Sequence, residues 1–349
     1  MKVSIGTNIK NGPWGGGNLF AINLRDYLIS QGHEVTYSLK DRDIDIIVLS
    51  EPRKTSESSA FTDIEVEKYL KYLNPSALVL HRINECDERK GTNYVNKFLI
   101  RANEISDCTV FVSSWLRDLF IEQGIKDKNI NVILAGANKK IFNNKDKTKW
   151  IPGQKLQIVT HHWGANWNKG FDTYQELDTL LDDSYYNEKF SFTYIGNLPK
   201  NFKFKNTSHI KPLSGVALSK ELQKYNIYLT ASLYEPSGNH HIEGAQCGLP
   251  LLYIDSGGIP EYCEGFGIKF SDLNFKNKLE EMYDNYKIYT DKIIDYPGDS
   301  IKMSSEYEKL FKEMIINKEK LLQNRKFKIK ENKLNKLIYK LERRFKKLD

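Results

Sequence analysis

The sequence predicts an α/β protein made of two successive Rossmann-like, doubly wound parallel-sheet lobes facing a cleft. Three observations carry that reading. At 349 residues the chain exceeds what one core usually fills, so two domains of ordinary size are expected. Short β-branched runs alternate with helical patterns, the mark of βαβ units feeding a parallel sheet. That alternation fades in one polar stretch and then restarts. A hydrophobic fraction of 40% with 12% aromatic residues suffices for two cores and argues against disorder over most of the length.

In the first half, strands are expected at Val3–Gly6, Val35–Ser38, Ile44–Leu49, Ala77–His81, Thr109–Ser113 and Val132–Leu134. Between the first two, Phe20, Leu24, Tyr27 and Leu28 recur at helical spacing and define one buried face, and Gly32 is placed to end that helix. Beyond Phe142 a lysine-rich run with the Pro152-Gly153 turn marks the boundary between a first domain at 1–148 and a second at 149–303. The second half restarts with a strand at Leu156–Thr160, a helix at Phe171–Leu181 and a strand at Phe190–Ile195. A helix near Leu218–Tyr225, a strand at Ile227–Thr230, a helix from about Gly238 and a strand at Leu251–Ile254 follow. A helix over 304–317 is expected to cross back to the first domain, and 318–349 forms a basic helical tail.

The formal net charge of +7 suggests nucleic acid until it is located. Residues 318–349 hold thirteen Lys and Arg against four Asp and Glu, which leaves the remainder of the chain at −2. The body is near neutral, so nucleic acid is not an expected partner. Cys86, Cys108, Cys247 and Cys263 are far apart with no CxxC pair, which speaks against a disulfide framework or zinc knuckle and for a reducing compartment. The opening MKVSIGTNIK reads as a first strand rather than a signal peptide. No window approaches the ~20 apolar residues that span a bilayer. A cytoplasmic protein, peripheral at most to the inner face of a membrane, is expected.

In open parallel sheets ligands bind beyond the carboxyl ends of the strands, where loops run into helix N-termini. Three such turns stand out. Gly12-Pro13-Trp14-Gly15-Gly16-Gly17-Asn18 is either a ligand loop, whose glycines let backbone approach an anion, or a flexible turn. It matches neither a GxGxxG fingerprint nor a P-loop. The second turn, from His161 and His162 to Lys169 and Gly170, is either a diphosphate loop, with an ammonium beside free helix amides, or a turn that carries one surface lysine. The third and strongest runs from Glu235 to Pro250. Glu235 sits in a post-strand loop and Glu243 a turn or more into a helix, so the amides of Gly238, Asn239, His240 and His241 face an oxygen ligand between two carboxylates.

The stretch Glu235–Pro250, followed by Asp255-Ser256-Gly257-Gly258-Ile259-Pro260-Glu261, resembles the Glu-x7-Glu signature of the family-4 retaining glycosyltransferases. Other stretches match in order: the glycine-rich turn with Gly32-His33-Glu34-Val35, then Val110–Trp115, then Val132–Phe142. The resemblance extends to about residue 315 and implies a GT-B fold. It implies transfer of a sugar from a nucleotide diphosphate sugar to a glycan or lipid-linked glycan acceptor with retention, without a bound metal or other cofactor. It makes Glu243 the acid at the donor ribose, Glu235 the acid beside the donor sugar and Lys169 the cation on the pyrophosphate. Gly16 and Gly17 become the first-lobe loop facing phosphates or acceptor, and His81 the histidine near the donor sugar. One departure matters: the family's Arg five residues before the lysine is Gly164 here. A replacement is sought in His81–Lys90, where strand-end placement favours Arg82, against a structural salt bridge with Glu85 or Asp87. The same fold also serves nucleotide-sugar epimerases and phosphorylases, and the Gly164 departure keeps an inactive nucleotide-sugar-binding scaffold as an alternative.

Asp43-Ile44-Asp45 resembles a metal-binding Asp-x-Asp pattern but leads straight into an apolar strand and reads better as a turn. His161-His162 and His240-His241 have no third ligand at zinc spacing, and His33 and His209 read as surface turn residues. In the tail, Leu334, Leu337, Ile338, Leu341, Phe345 and Leu348 line one face of a basic amphipathic helix. It suits an anionic membrane surface, a helix partner or a solvated extension.

Overall fold

A computed structural model of the chain describes residues 1–10, 12, 15–126, 129–325 and 339. The first lobe runs β1 (Lys2–Ile5), α1 (Gly16–Ser30), β2 (Glu34–Thr36), β3 (Ile46–Leu49), α2 (Asp63–Tyr72) and β4 (Leu78–Ile83). It continues with α3 (Asp87–Lys90), α4 (Val95–Asn103), β5 (Cys108–Phe111), α5 (Ser114–Glu122) and β6 (Ile130–Val132). All strand pairs are parallel, in the order β2-β1-β3-β4-β5-β6. β3, β4 and β5 are buried along their whole length, as expected of strands covered by helices on both faces. α1 buries Phe20, Ala21, Leu24 and Leu28. It ends where Gly32, at φ 79°, lets the His33 amide reach Leu28 O and its own amide reach Ile29 O. α2 opens on a reciprocal capping box between Thr62 and Glu65.

The second lobe begins with β7 (Leu156–His162), α6 (Phe171–Leu180), α7 (Ser184–Lys189), β8 (Phe190–Gly196), β9 (Ser208–Ile210) and α8 (Gly215–Leu222). Then come β10 (Ile227–Thr230), α9 (Asn239–Gln246), β11 (Leu251–Ile254), α10 (Ile259–Cys263), β12 (Gly267–Phe270) and α11 (Phe275–Lys292). Its sheet is also parallel throughout, in the order β12-β11-β10-β7-β8-β9. The edge strands β9 and β12 fall outside the sequence expectation. β9 is short and largely exposed, and β12 buries only alternate residues, so neither forms an apolar run.

The polar stretch after β6 is held on the second lobe. Ala137 and Phe142 join its core, and the Thr148 amide bonds Gln223 O. Two further helices return the chain to the first lobe: α12 (Ser300–Ile316) and α13 (Lys318–Gln323). Met303, Tyr307, Phe311, Met314 and Leu321 pack into the first core, with Tyr307 5.1 Å from the Phe20 ring. Glu308 accepts from His33 Nε2 at 2.9 Å and from the Tyr27 hydroxyl at 3.2 Å, so His33 is an internal tie rather than a surface turn residue. His209 likewise lies in β9 and donates to Gly196 O at 2.8 Å. Arg325, counted in the basic tail by sequence, bonds Asp107 at 2.6 and 2.9 Å and caps Pro75 O and Ala77 O. The amphipathic positions Leu334, Leu337, Ile338, Leu341, Phe345 and Leu348 lie outside the described residues. Among the described residues no helix is long and apolar enough to cross a membrane.

Candidate active site

β7 and β10 are neighbours in the second sheet although their sequence partners diverge, and the turns leaving their carboxyl ends are joined. The β7 turn closes with a 3-10 turn at Trp167–Lys169 and then Gly170 at φ 100°. A Cβ on Gly170 would lie 2.7 Å from the Ala231 backbone, so glycine lets this turn press onto the end of β10. The Leu233 amide donates to Asn168 O at 2.8 Å across the same seam. These contacts bring Lys169 to Glu235, with Lys169 Nζ 2.5 Å from Glu235 Oε2.

Glu235 is buried, and its second oxygen lies 3.0 Å from Arg89 Nε on α3 of the first lobe. Burial works to raise the Glu235 pKa, but the Arg89 and Lys169 charges outweigh it and hold the carboxyl down to about 2. Its backbone is equally constrained. Tyr234 takes φ 52°, unusual for a non-glycine residue, and its amide donates to Ser256 Oγ at 2.9 Å. The Gly258 amide donates to Glu235 O at 2.9 Å, and a Cβ on Gly257 would lie 2.7 Å from the Glu235 backbone. The Gly-Gly pair is therefore the bed on which the Glu235 turn lies.

α9 starts at Gly238, φ 72°, with no side-chain cap and no acid in its first turn, which leaves its N-terminal amides open to an anion. Asn239, His240 and His241 form that first turn. His240 Nε2 meets Thr230 Oγ1 at 2.7 Å, whereas both nitrogens of the buried His241 have no partner among the described residues. Burial lowers the His241 pKa to about 3. One turn on, Glu243 accepts from His161 Nε2 at 2.9 Å, and the Tyr228 hydroxyl meets His161 Nδ1 at 3.0 Å. His162 Nε2 meets the Tyr174 hydroxyl at 2.8 Å. Among the described residues no group of three or more His, Cys, Asp or Glu is arranged to hold a metal. Asp43 and Asp45 bond the Lys2 ammonium and amide instead.

The two lobes meet around this site. A Cβ on Gly16 would lie 2.9 Å from Asn239 Oδ1, while Gly17 borders open space. Glu261 accepts from the Ser114 amide at 2.6 Å and from its hydroxyl at 2.9 Å, at the start of α5. Tyr262 donates to Val112 O and accepts from the Ala135 amide.

The sequence-derived residues thus divide. Lys169, Glu235, Gly238, Asn239, His240, His241 and Glu243 gather at one end of the second sheet, with Gly16 across the cleft. Arg82 and His81 do not reach Glu235. They are consecutive on β4 and point to opposite faces. Arg82 lies 3.9 Å over the Phe20 ring, and two of its N–H groups find no acceptor among the described residues. His81 is fully buried, its Nδ1 2.9 Å from Asn103 Oδ1, and burial lowers its pKa to about 4. Sequence reasoning placed Arg89 in the searched segment without choosing it, because nothing local says where a four-residue helix aims a guanidinium. It also missed the His161–Glu243 pair, although both residues lie in the motifs it selected.

Solved structures of the same architecture cover nearly the whole chain. Sucrose-phosphate synthase from Thermosynechococcus elongatus superposes with a TM-score of 0.64 at 12% identity, over 90% of this chain and 99% of that one. A glycosyltransferase from Rickettsia africae gives 0.64 at 15% identity, over 90% and 99%. Anabaena HepE in complex with UDP-glucose gives 0.64 at 12% identity, over 90% and 100%. The chain has the GT-B fold. No protein-family model matches the sequence, and no curated protein sequence matches it either. At these identities the likeness is one of fold; Lys169, Glu235 and Glu243 all belong to the second lobe, and Glu235 meets Arg89 of the first.

Proposed function

We propose that this protein is a retaining glycosyltransferase that moves a sugar from a nucleotide diphosphate sugar to a glycan or lipid-linked glycan acceptor. The observation that carries the reading is the pairing of Lys169 with the buried Glu235 carboxylate beside the uncapped N-terminus of α9, with Glu243 one turn further on. A diphosphate needs a cation and free amides, both present here. Sugar and ribose hydroxyls need fixed acceptors, which the two carboxylates supply. That Anabaena HepE, of the same fold, is seen with UDP-glucose supports a donor of this class and makes UDP the first nucleotide to try.

In this reading the leaving diphosphate is stabilised by Lys169 and the α9 amides as the glycosidic bond breaks. Its oxygen then takes the proton of the incoming acceptor hydroxyl on the same face. No side-chain nucleophile is required, and electrostatic stabilisation of the departing charge is the main catalytic term. We propose that transfer needs no metal and that the chain works in the cytoplasm, with 318–349 bringing it to an anionic membrane surface or a helix partner.

Thermal unfolding with UDP, GDP, ADP, CMP and dTDP, followed by assay of the matching donor sugars, tests the reading. Stabilisation by one diphosphate and an anomer-retaining product are expected. Binding without turnover would make the protein a nucleotide-sugar-binding scaffold. Dependence on inorganic phosphate would make it a phosphorylase, and sugar isomerisation without acceptor an epimerase. No binding to any nucleotide at millimolar concentration would sink the donor site.

A further inference from the structure

The charges around Glu235 do not balance. One carboxylate holds two cations, Lys169 from the second lobe and Arg89 from the first. The adjoining ion pairs keep the imbalance: Glu85 joins Arg53 and Lys90, and Arg53 also meets Glu51. Among the ion-paired groups four cations thus share three carboxylates, and the inner end of the cluster lies deep, with the Lys169 side chain 14% and that of Glu235 6% exposed, while Arg89 at 30% and Lys90 at 35% lie nearer solvent. A buried surplus charge is costly unless an opposite charge joins it. Burial first, and then the Arg89 charge, push the Lys169 ammonium below its usual range against the pull of Glu235. At the same turn the His241 ring is buried with both nitrogens unpartnered among the described residues, and the Gly238 backbone leaves it room. Cations in excess, open helix amides and an unpaired imidazole all call for an anion.

Arg89 is held against the second lobe by its backbone as well as its charge. Its carbonyl accepts from Asn168 Nδ2 at 3.3 Å, and the neighbouring Cys86 thiol approaches Tyr234 O at 3.9 Å. Gly164, by contrast, opens the β7 turn with no atom within 4 Å of where a Cβ would lie, so this loop supplies no second cation there.

We propose that Arg89 is the second cation of the diphosphate site, supplied across the cleft by the first lobe, so that the site is complete only when the lobes are closed. This rests on the donor reading above. When the diphosphate enters, Arg89 and Lys169 turn from sharing Glu235 to sharing the phosphate oxygens. Glu235 is thereby released toward the sugar hydroxyls, and donor binding holds the lobes together.

The test is calorimetric titration of the full chain with the nucleoside diphosphate it binds best and with the corresponding monophosphate. Arg89→Ala should weaken the diphosphate at least tenfold and leave the monophosphate within about twofold, since a lost charge-assisted contact to the outer phosphate affects only the longer ligand. Arg89→Gln, which keeps the side-chain length, should show the same split and guards against misfolding. Adding Gly164→Arg to Arg89→Ala should restore part of the diphosphate affinity from the second lobe. Unchanged diphosphate affinity in both Arg89 variants would overturn the proposal. Equal losses on both ligands would also overturn it and give Arg89 a purely structural role. A wild-type protein that binds no nucleotide would overturn the donor reading itself, an outcome separate from these.

Discussion

The first sheet reverses its winding between β1 and β3, and the second between β7 and β10. Each reversal opens a crevice at the carboxyl end of its sheet, yet the two are furnished differently. The first is approached by the glycines that start α1, so backbone and space face the cleft. The second is lined by His161, His162 and Thr230 at the strand ends, with Lys169, Glu235 and Glu243 just beyond. A site that must hold fixed charge needs a rigid, buried shell, and the second lobe provides one. The first lobe contributes reach: its glycines permit close approach, and α3 carries one guanidinium across. The asymmetry is what a cleft enzyme needs if one lobe grips the donor and the other closes over it.

Removing the grip should have the largest effect. Lys169→Ala is expected to lower donor turnover about 100-fold. A steady-state rate within a few-fold of wild type would mean that the second lobe does not carry the departing charge.

Next is the stability of the unliganded protein. Glu235→Ala leaves Arg89 and Lys169 without their shared carboxylate, a change of about 3–5 kcal/mol for a broken buried pair. The pH dependence follows from the depressed Glu235 pKa. A carboxyl held at about 2 in the folded chain, below its ordinary 4.5, contributes fully above 4.5 and loses that contribution as pH falls toward 2. Urea unfolding between pH 5 and pH 2.5 should therefore be less steep with pH in Glu235→Gln than in wild type. Equal slopes would show that the triad does not couple to folding.

A smaller effect separates Arg82 from Arg89. Arg82 is buried against Phe20 without an ion-pair partner among the described residues, so Arg82→Met should leave stability unchanged or raise it by about 1 kcal/mol. Diphosphate affinity should not change. A loss matching that of Arg89→Ala, measured by the same titration, would move the cross-cleft cation from α3 to β4.

The smallest contrast concerns adjacent glycines. Gly17→Ala points into open space and should stabilise the start of α1 by up to about 1 kcal/mol. Gly16→Ala pushes on Asn239 Oδ1 and should lower the rate a few-fold by holding the lobes apart. Identical kinetics in the two variants would remove Gly16 from the closed interface.

The sequence by itself determined the two-sheet architecture, because apolar runs of strand length between helical periods leave few other ways to bury their faces. It also marked the turns that hold Lys169, Glu235 and Glu243, since glycines and carboxylates there follow local backbone demands that spacing reveals. It did not contain the edge strands β9 and β12, whose half-exposed residues lack an apolar run. Nor did it reveal that His161 holds Glu243, or that Arg89 rather than Arg82 meets Glu235. Those pairings join residues 82 and 146 positions apart and depend on how β7 packs beside α9 and how one lobe sits on the other. Side-chain direction on β4 sends Arg82 and His81 to opposite faces, while the short α3 after it carries Arg89 across the cleft. Which arginine meets Glu235 is therefore a property of the assembled lobes, because that contact exists only once both are in place.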